Sequence, residues 1–261
     1  MRPVPGTPAG VTFNIRAVED DGRPVTGAND YDGFAEAYTV ATEKNLLNGY
    51  YVRPAIVNLA GDVAGRRVLD VGCGSGPISA MLRDRGATVA GFDSSAKMVE
   101  LARKRLGPDA DLRVADLGGP LPYPDGAFDD VIAALVLHYL EDWTGPLAEL
   151  RRVLRPGGRL IAAVDHPLVI ELMHRAQGDK PSYFQTRRRT EEWIFDGHSA
   201  PMTFWERPLH AMTDAFTAAG FRIAVISEPP AAPDTPDELF PPEFEGRKIF
   251  LSFLFFVLQA S

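Results

Sequence analysis

The sequence predicts an α/β protein built on a doubly wound, parallel β-sheet. Short apolar segments alternate with amphipathic segments of helix length, which is the pattern of strands joined by crossover helices. The first of these apolar segments ends in a glycine-rich turn at residues 72–76, where a strand passes into a helix. The 261 residues suit one large domain, or one domain with an insertion.

The residues before the sheet divide into a tail and a helical cap. Residues 1–28 are rich in proline, glycine and aspartate, which predicts a loose N-terminal tail. From residue 29 to residue 60 the apolar spacing is helical, and we expect an N-terminal helical cap there. One face of the cap is predicted to carry Tyr31, Phe34, Ala35 and Tyr38.

Residues 61–166 form the predicted core of alternating strands and helices. Pro77 suits the first turn of the helix that follows the glycine turn, and Ser94 or Ser95 can cap the next helix. The strands of this stretch are predicted at residues 67–71, 88–92, 111–114, 128–134 and 159–164.

The alternation stops at residues 167–209, which are polar and aromatic and predict a helical or irregular lid. We expect the arginine run at 187–189 to lie on a solvated helix face. Residues 210–261 are predicted to complete the core. They follow on from the helical spacing that returns at Leu209, and strands are expected at 221–227 and 249–258.

Composition limits the classes of partner. The formal net charge of -8 argues against nucleic acid, because phosphate backbones select basic surfaces. Cys73 is the single cysteine, so neither a disulfide framework nor a multi-cysteine metal site is predicted, and a cytoplasmic location is expected. The longest apolar run is too short to span a membrane, and we expect a monomer or homodimer without bound metal.

The glycine turn is the predicted nucleotide site. Glycines let the backbone approach a ligand closely, and such a loop serves NAD as well as S-adenosylmethionine (SAM). Asp70 precedes the turn, and its carboxylate repels a pyrophosphate but attracts the ammonium group of a methionine moiety. Asp93 and Asp116 follow the next two strands, where they can accept hydrogen bonds from ribose hydroxyls and an adenine amine.

Several motifs in order resemble the class I SAM-dependent methyltransferases of the bacterial small-molecule type. The resemblance is strong over residues 30–165 and looser over 205–258. The motifs are VLDVGCGSG at 68–76, GFDSS at 91–95, ADL at 115–117, FDD at 128–130 with LHY at 137–139, and LRRVLRPGG at 150–158.

This resemblance implies a Rossmann-like sheet of seven strands with an antiparallel last strand at 249–258. It also implies that Asp70 and the glycine turn hold the methionine end of SAM, and that Ala134 and Leu135 form the floor beside the sulfonium. The residues expected to bind the cofactor are Asp70, Gly72, Cys73, Gly74, Gly76, Asp93, Ser94, Met98, Asp116, Leu117, Ala134 and Leu135.

The acceptor side offers a possible base and several aromatic rings. His166 follows the fifth strand and is the candidate general base, although a structural loop histidine fits as well. His138 and His198 are the other candidates for this role. Aromatic rings can stack on a flat or apolar acceptor. The residues expected to bind it are Tyr31, Tyr38, His138, Tyr183, Trp193 and Trp205.

The sequence therefore predicts a SAM-dependent methyltransferase that acts on an O, N or C atom of a small molecule such as a secondary metabolite. An NAD-dependent oxidoreductase is an alternative, which Asp70 and the GxGxG spacing disfavour. A SAM-binding protein without methyl transfer, or one that uses SAM structurally for another reaction, is the third hypothesis.

Overall fold

The structure, a computed structural model, describes residues 11–14, 29–178, 181–195, 198–242, 248 and 250–261. Its strands, in chain order, are β1 (Val11–Asn14), β2 (Arg67–Val71), β3 (Thr88–Asp93), β4 (Asp111–Val114), β5 (Phe128–Ala134), β6 (Leu154–Asp165), β7 (Arg187–Phe195), β8 (His198–Glu206), β9 (Phe221–Ser227) and β10 (Phe253–Ala260).

Seven of these strands form the predicted sheet in the order β4-β3-β2-β5-β6-β10-β9. The strands from β2 to β6 run parallel, and β10 runs antiparallel to both of its neighbours. The predicted fold, with its antiparallel last strand, is confirmed. The last strand begins at Phe253 instead of residue 249, because residues 250–252 turn aside to line a cavity.

Helices cover both faces of this sheet. They are α1 (Ala35–Glu43), α2 (Arg53–Ala60), α3 (Pro77–Asp84), α4 (Ala96–Leu106), α5 (Thr144–Val153), α6 (Pro167–Gln177) and α7 (Leu209–Ala218). Pro77 begins α3, and the Ser95 hydroxyl caps α4 by accepting from the Met98 N–H at 3.0 Å. A π-helix at Leu46–Val52, which the sequence did not predict, separates α1 from α2. None of the helices in the described ranges is long and apolar enough to cross a membrane.

Side-chain alternation along the strands divides the core into two layers. On β10, Phe255 packs into one apolar cluster with Ile56 of α2 and Leu82 of α3. The next residue, Phe256, packs into the opposite cluster with α5 and with Phe216 of α7. Because successive strand residues point to opposite faces, both faces of the sheet are covered, as a doubly wound fold requires.

The region after α6 corrects the prediction of an irregular lid. Strands β7 and β8 form an antiparallel hairpin, and β1 pairs with β7 to complete a second, three-stranded sheet. The buried face of this sheet carries, at alternate positions, Arg189, Glu191 and Trp193. Because two of these inward residues are charged, the sequence lacks the apolar alternation that is typical of a strand. The predicted loose tail therefore contains a strand at 11–14. The rest of residues 1–28 lies outside the described residues.

Candidate functional site

A cavity of about 1320 Å³ lies at the carboxyl ends of β2, β3, β5 and β6. The α1 helix, the π-helix, α6 and the β7–β8 hairpin contribute its remaining walls. All of the residues expected to bind a cofactor line this cavity except Gly76. At Gly76, φ is +79° and a Cβ would lie 3.0 Å from Leu106 Cδ1, so this glycine allows α3 to pack against α4.

The glycine turn is held to the neighbouring strand by its own backbone. The Cys73 N–H donates to the Phe92 carbonyl at 2.9 Å, and the Gly74 N–H donates to Asp93 Oδ2 at 2.9 Å. Gly72 has φ of +63°, and a Cβ there would lie 2.9 Å from the Val136 side chain. Only glycine fits this position without strain, and the turn therefore presents bare backbone to the cavity.

Asp70 is a buried carboxyl in the wall of the cavity. It is 1% exposed, and the Ser79 hydroxyl donates to its Oδ2 at 2.6 Å. Burial, with a smaller contribution from the charge of Asp93, raises the pKa of Asp70 to about 7. A desolvated carboxyl at this position favours a proton or a cationic ligand group.

Two further acids stand at the ends of neighbouring strands. Asp93 accepts from the Ser95 N–H at 2.9 Å and from the Gly74 N–H, and burial raises its pKa above the ordinary value. Asp116 accepts from the Gly118 N–H at 2.8 Å, beside the buried Leu117. The structure thus places the three predicted acids, each at or near the end of a different strand, in the lining of one cavity.

The predicted floor of the site is strained. Among the described residues, Leu135 is the only residue other than glycine with a positive φ, at 57°. Its N–H donates to the Ala163 carbonyl at 2.9 Å, which fixes the chain just after β5. Left-handed backbone at such a residue costs about 1–3 kcal/mol and clusters at functional sites.

Aromatic side chains form the opposite wall of the cavity. The Tyr31 and Tyr139 hydroxyls lie 2.6 Å apart, and burial raises the pKa of both, so that both phenols stay neutral. Tyr38 stacks on Trp193 with ring centroids 6.1 Å apart, and Phe204 packs beside them. The expected acceptor residues Tyr31, Tyr38 and Trp193 therefore share one wall.

His166 does not line the cavity. Its Nδ1 accepts from the Leu168 N–H at 3.2 Å and caps α6, while its Nε2 lies 2.7 Å from Glu228 Oε1. The sequence placed this residue correctly at the end of β6, but capping turns its ring away. Both ring nitrogens are engaged, and this geometry does not support the predicted role of His166 as a base.

His138 does line the cavity, and it is 6% exposed. Its Nδ1 lies 3.4 Å from Asp165 Oδ1, and its Nε2 has no hydrogen-bond partner among the described residues. Burial alone would raise the pKa of Asp165, but the adjacent His138 and Arg189 lower it. An ionised carboxylate is thus held next to an imidazole in the cavity wall.

The other expected acceptor residues lie elsewhere. Tyr183 and Trp205 line a separate cavity of about 30 Å³, which touches His138 and Asp165 from the far side. The large cavity does not include these two rings. The side chain of His198 lies outside the described residues.

A buried charged network was missed by the sequence analysis. Arg189 is 8% exposed, and it contacts Asp165 Oδ2 and Glu206 Oε1, each at 3.0 Å, and pairs with Glu191. The Trp193 indole N–H donates to Glu191 Oε2 at 2.9 Å. The expectation of a solvated helix face at 187–189 is therefore wrong, because the run lies on β7 and Arg189 is buried. The sequence signal that could have indicated this network is the i, i+2 spacing of residues 189, 191 and 193, which places the three side chains on one face of a strand.

Further apolar residues that line the cavity were also unforeseen. We define the apolar arm as the part of the cavity lined by Leu47, Val52, Val169, Met173, Phe250 and Leu251. In the part of the chain that the structure describes, no three histidine, cysteine or acidic side chains are grouped as metal ligands.

Comparisons with known proteins agree with this geometry. A model of the methyltransferase domain family matches residues 69–162. A demethylmenaquinone methyltransferase from Tropheryma whipplei (strain Twist) is 35% identical over 124 residues, which cover 47% of this chain and 52% of that protein. A 27-O-demethylrifamycin SV methyltransferase from Amycolatopsis mediterranei (strain S699) is 38% identical over 149 residues, covering 50% and 54%. The chain spans about half the length of these curated relatives.

Among solved structures, an S-adenosylmethionine-dependent methyltransferase from Mesorhizobium loti has a TM-score of 0.59 and 25% identity. The match covers 79% of this chain and 96% of that one. The family match contains the glycine turn, the three strand-end acids, Leu135 and His138, but not α1, α6 or the hairpin. The similarity is thus concentrated in the half of the cavity nearest the glycine turn.

Proposed function

We propose that the chain is a class I SAM-dependent methyltransferase, which the match of residues 69–162 to the methyltransferase domain family supports, and that it transfers a methyl group from SAM to a small-molecule acceptor. One observation carries the proposal. Three carboxyl groups and a bare glycine turn line one cavity, whose lining also includes the strained Leu135 and an aromatic wall.

The residues present fit this cofactor. Asp70 is desolvated and has no cationic partner among the described side chains, so the ammonium of SAM would complete it. Each oxygen of a carboxylate accepts more than one hydrogen bond, which leaves Asp93 able to hold ribose hydroxyls. Asp116 and Leu117 would flank the adenine. When bound, SAM supplies an electrophilic methyl group on a sulfonium.

The walls of the cavity orient the acceptor and exclude water. The aromatic wall presents the faces of Tyr38 and Trp193, which attract a cation and give a flat surface for an apolar ring. Holding the two reacting atoms in line supplies much of the rate acceleration in a displacement of this kind. Exclusion of water prevents loss of the methyl group to hydrolysis.

We assign the proton-accepting role to His138 instead of His166. An Nδ1–H directed at Asp165 leaves the Nε2 lone pair of His138 to accept a proton. Asp165 is a positioning residue here, and Arg189 keeps its carboxylate in place. A base is required only if the acceptor atom arrives protonated, as a hydroxyl does.

Calorimetric titration with SAM, S-adenosylhomocysteine (SAH) and NADH tests the cofactor. Asp70 would repel a pyrophosphate at the glycine turn, so we expect SAM and SAH to bind and NADH to give no signal. Binding of NADH without SAM would overturn the proposal in favour of an oxidoreductase. Transfer of a labelled methyl group to a panel of metabolites then separates catalysis from binding alone.

We also infer a cytoplasmic enzyme that acts without nucleic acid, as a monomer or homodimer. The acidic net charge of -8 and the single cysteine, Cys73, support this inference. Cys73 is buried beside Asp70, and burial raises the pKa of its thiol, which leaves it unreactive.

A further inference from the structure

Helix α6 carries more apolar surface than the protein buries. It has large apolar side chains at five of its positions, yet only Pro167 and Glu171 are buried. None of the large apolar residues belongs to the apolar clusters of the described core. These residues are Leu168, Val169, Ile170, Leu172 and Met173. A surface helix normally covers its apolar stripe with the core, so this stripe calls for another partner.

The apolar residues of α6 lie on two faces. Val169, Ile170 and Met173, at i, i+1 and i+4, line the large cavity. Leu168 and Leu172 lie on the other face and are 52% and 54% exposed. The face toward the cavity is the one that a ligand inside the protein would cover.

Two other segments contribute apolar residues to the same cavity. The π-helix supplies Leu47 and Val52, and the residues before β10 supply Phe250 and Leu251. Leu251 is 41% exposed, which places it at the rim of the cavity. The arm therefore has apolar side chains from α6, the π-helix and the residues before β10.

Volume and polarity indicate what the arm holds. A cavity of about 1320 Å³ exceeds the roughly 300–1,000 Å³ of sites for one drug-sized ligand. The cofactor thus leaves room for a second large molecule. The polar side chains His138, Asp165, Arg189 and Glu191 belong to the same cavity, as does the apolar arm.

We propose that the methyl acceptor is an amphipathic molecule with a polar, methyl-accepting head and an extended hydrocarbon body. The head lies at His138 and Asp165, and the body lies along the apolar arm against Val169 and Met173. This inference rests on the proposed function and specifies its substrate class. The hydrocarbon would bury the remaining exposed surface of the partly buried Val169 and Met173, which supplies the driving force for binding.

A series of para-alkylphenols, from para-cresol to para-heptylphenol, tests the arm on SAH-loaded protein by calorimetric titration. The head stays constant while the chain grows. Each added methylene is expected to tighten binding by about two- to fourfold until the arm is full. Affinity that does not change with chain length, on protein that binds SAH, overturns the substrate class alone. Failure to bind SAH overturns the proposed function.

Two neighbouring substitutions on α6 separate the cavity from the general surface. Met173→Glu places a charge in the arm, and we expect it to abolish the dependence on chain length. Leu172→Glu places the same charge on the exposed face and is expected to preserve it. Thermal unfolding and SAH affinity are measured for both variants to check that each is folded.

A variant outside α6 provides an independent test. Leu251→Glu should weaken binding of the longer phenols at least tenfold, because a carboxylate at the rim has to lose water when the chain enters. Since Leu251 lies outside the helices and strands, this change leaves α6 intact. Equal affinities in the wild type, Leu251→Glu and Met173→Glu would contradict a hydrocarbon site in the arm.

Discussion

Replacing Asp70 by asparagine tests the central electrostatic feature of the site. The pKa of this buried carboxyl is raised from 3.8 to about 7, so the folded protein holds its proton over a range in which the unfolded chain releases it. Stability is therefore lost as the pH rises from about 4 to about 7, and the loss is complete above that range. Asp70→Asn has no proton to lose and escapes this dependence.

The size of the effect follows from the pKa shift. A rise from 3.8 to about 7 corresponds to roughly 4 kcal/mol of lost stability at pH 8, and to roughly 1.5 kcal/mol at pH 5. The stability advantage of Asp70→Asn should thus grow by about 2–3 kcal/mol between these two pH values. For a chain of this size, that is roughly 5–10 °C in Tm.

Thermal unfolding of the ligand-free protein from pH 5 to pH 8 measures this difference. Asp109→Asn is the matched control, because it makes the same chemical change at an exposed carboxyl. The two variants should diverge only as the pH rises. If the Tm of Asp70→Asn followed that of the wild type in parallel across this range, the carboxyl would not be desolvated as the structure shows.

The same substitution, Asp70→Asn, should weaken binding of the cofactor while it stabilises the fold. Loss of a charge-assisted contact to the ammonium costs about 1.5–3 kcal/mol, so the Kd for SAM should rise about 10- to 150-fold at pH 8. In the wild type, an ammonium beside Asp70 favours its ionised form. Calorimetry near pH 6 in buffers of different ionisation enthalpy should therefore detect proton release on binding. An unchanged Kd in Asp70→Asn would contradict the assigned role.

Three further predictions concern other parts of the cavity. His138→Gln should slow methyl transfer to a hydroxyl acceptor about 10²- to 10⁴-fold with the SAH Kd unchanged, whereas His166→Gln should lower Tm and spare the rate of transfer. Gly72→Ala, whose methyl would meet the Val136 side chain, should weaken SAM binding at least tenfold in calorimetry, because the turn has to move. Arg189→Met should lower the free energy of unfolding by about 3–5 kcal/mol in a urea titration, since it removes the buried cation that pairs with Glu191 and two other acids.

The sheet and the glycine turn were predictable because their signals are local. Strands such as 67–71 and 88–93 are short runs of mostly apolar residues. A glycine follows the first of them directly, and an acid ends the second. The same holds for Asp70, Asp93 and Asp116, since the carboxyl ends of parallel strands meet at one edge. The positions of these acids could be predicted without knowledge of contacts between distant segments.

The acceptor side depends on contacts between distant segments. The β7–β8 hairpin escaped prediction because Arg189 and Glu191 point inward, where the strand pattern calls for apolar residues. Arg189 is tolerated there because Asp165 and Glu206, from other strands, pair with it. Glu191 is tolerated because it pairs with Arg189 and accepts from the Trp193 indole N–H. The orientation of His166 likewise follows from its cap on α6 and from Glu228, not from its position after β6.

The cavity concentrates groups that the chain leaves incomplete. Among the described residues, Asp70 has no cationic partner, His138 Nε2 has no hydrogen-bond partner, and the inner face of α6 is only partly buried. Each of these lowers the stability of the ligand-free fold, and each is complemented by a different part of a cofactor and acceptor pair. Ligands that bind only the folded state add about 2.7 kcal/mol at a hundredfold excess over Kd. SAH should therefore raise Tm, and a long para-alkylphenol should raise it further only when SAH holds the turn.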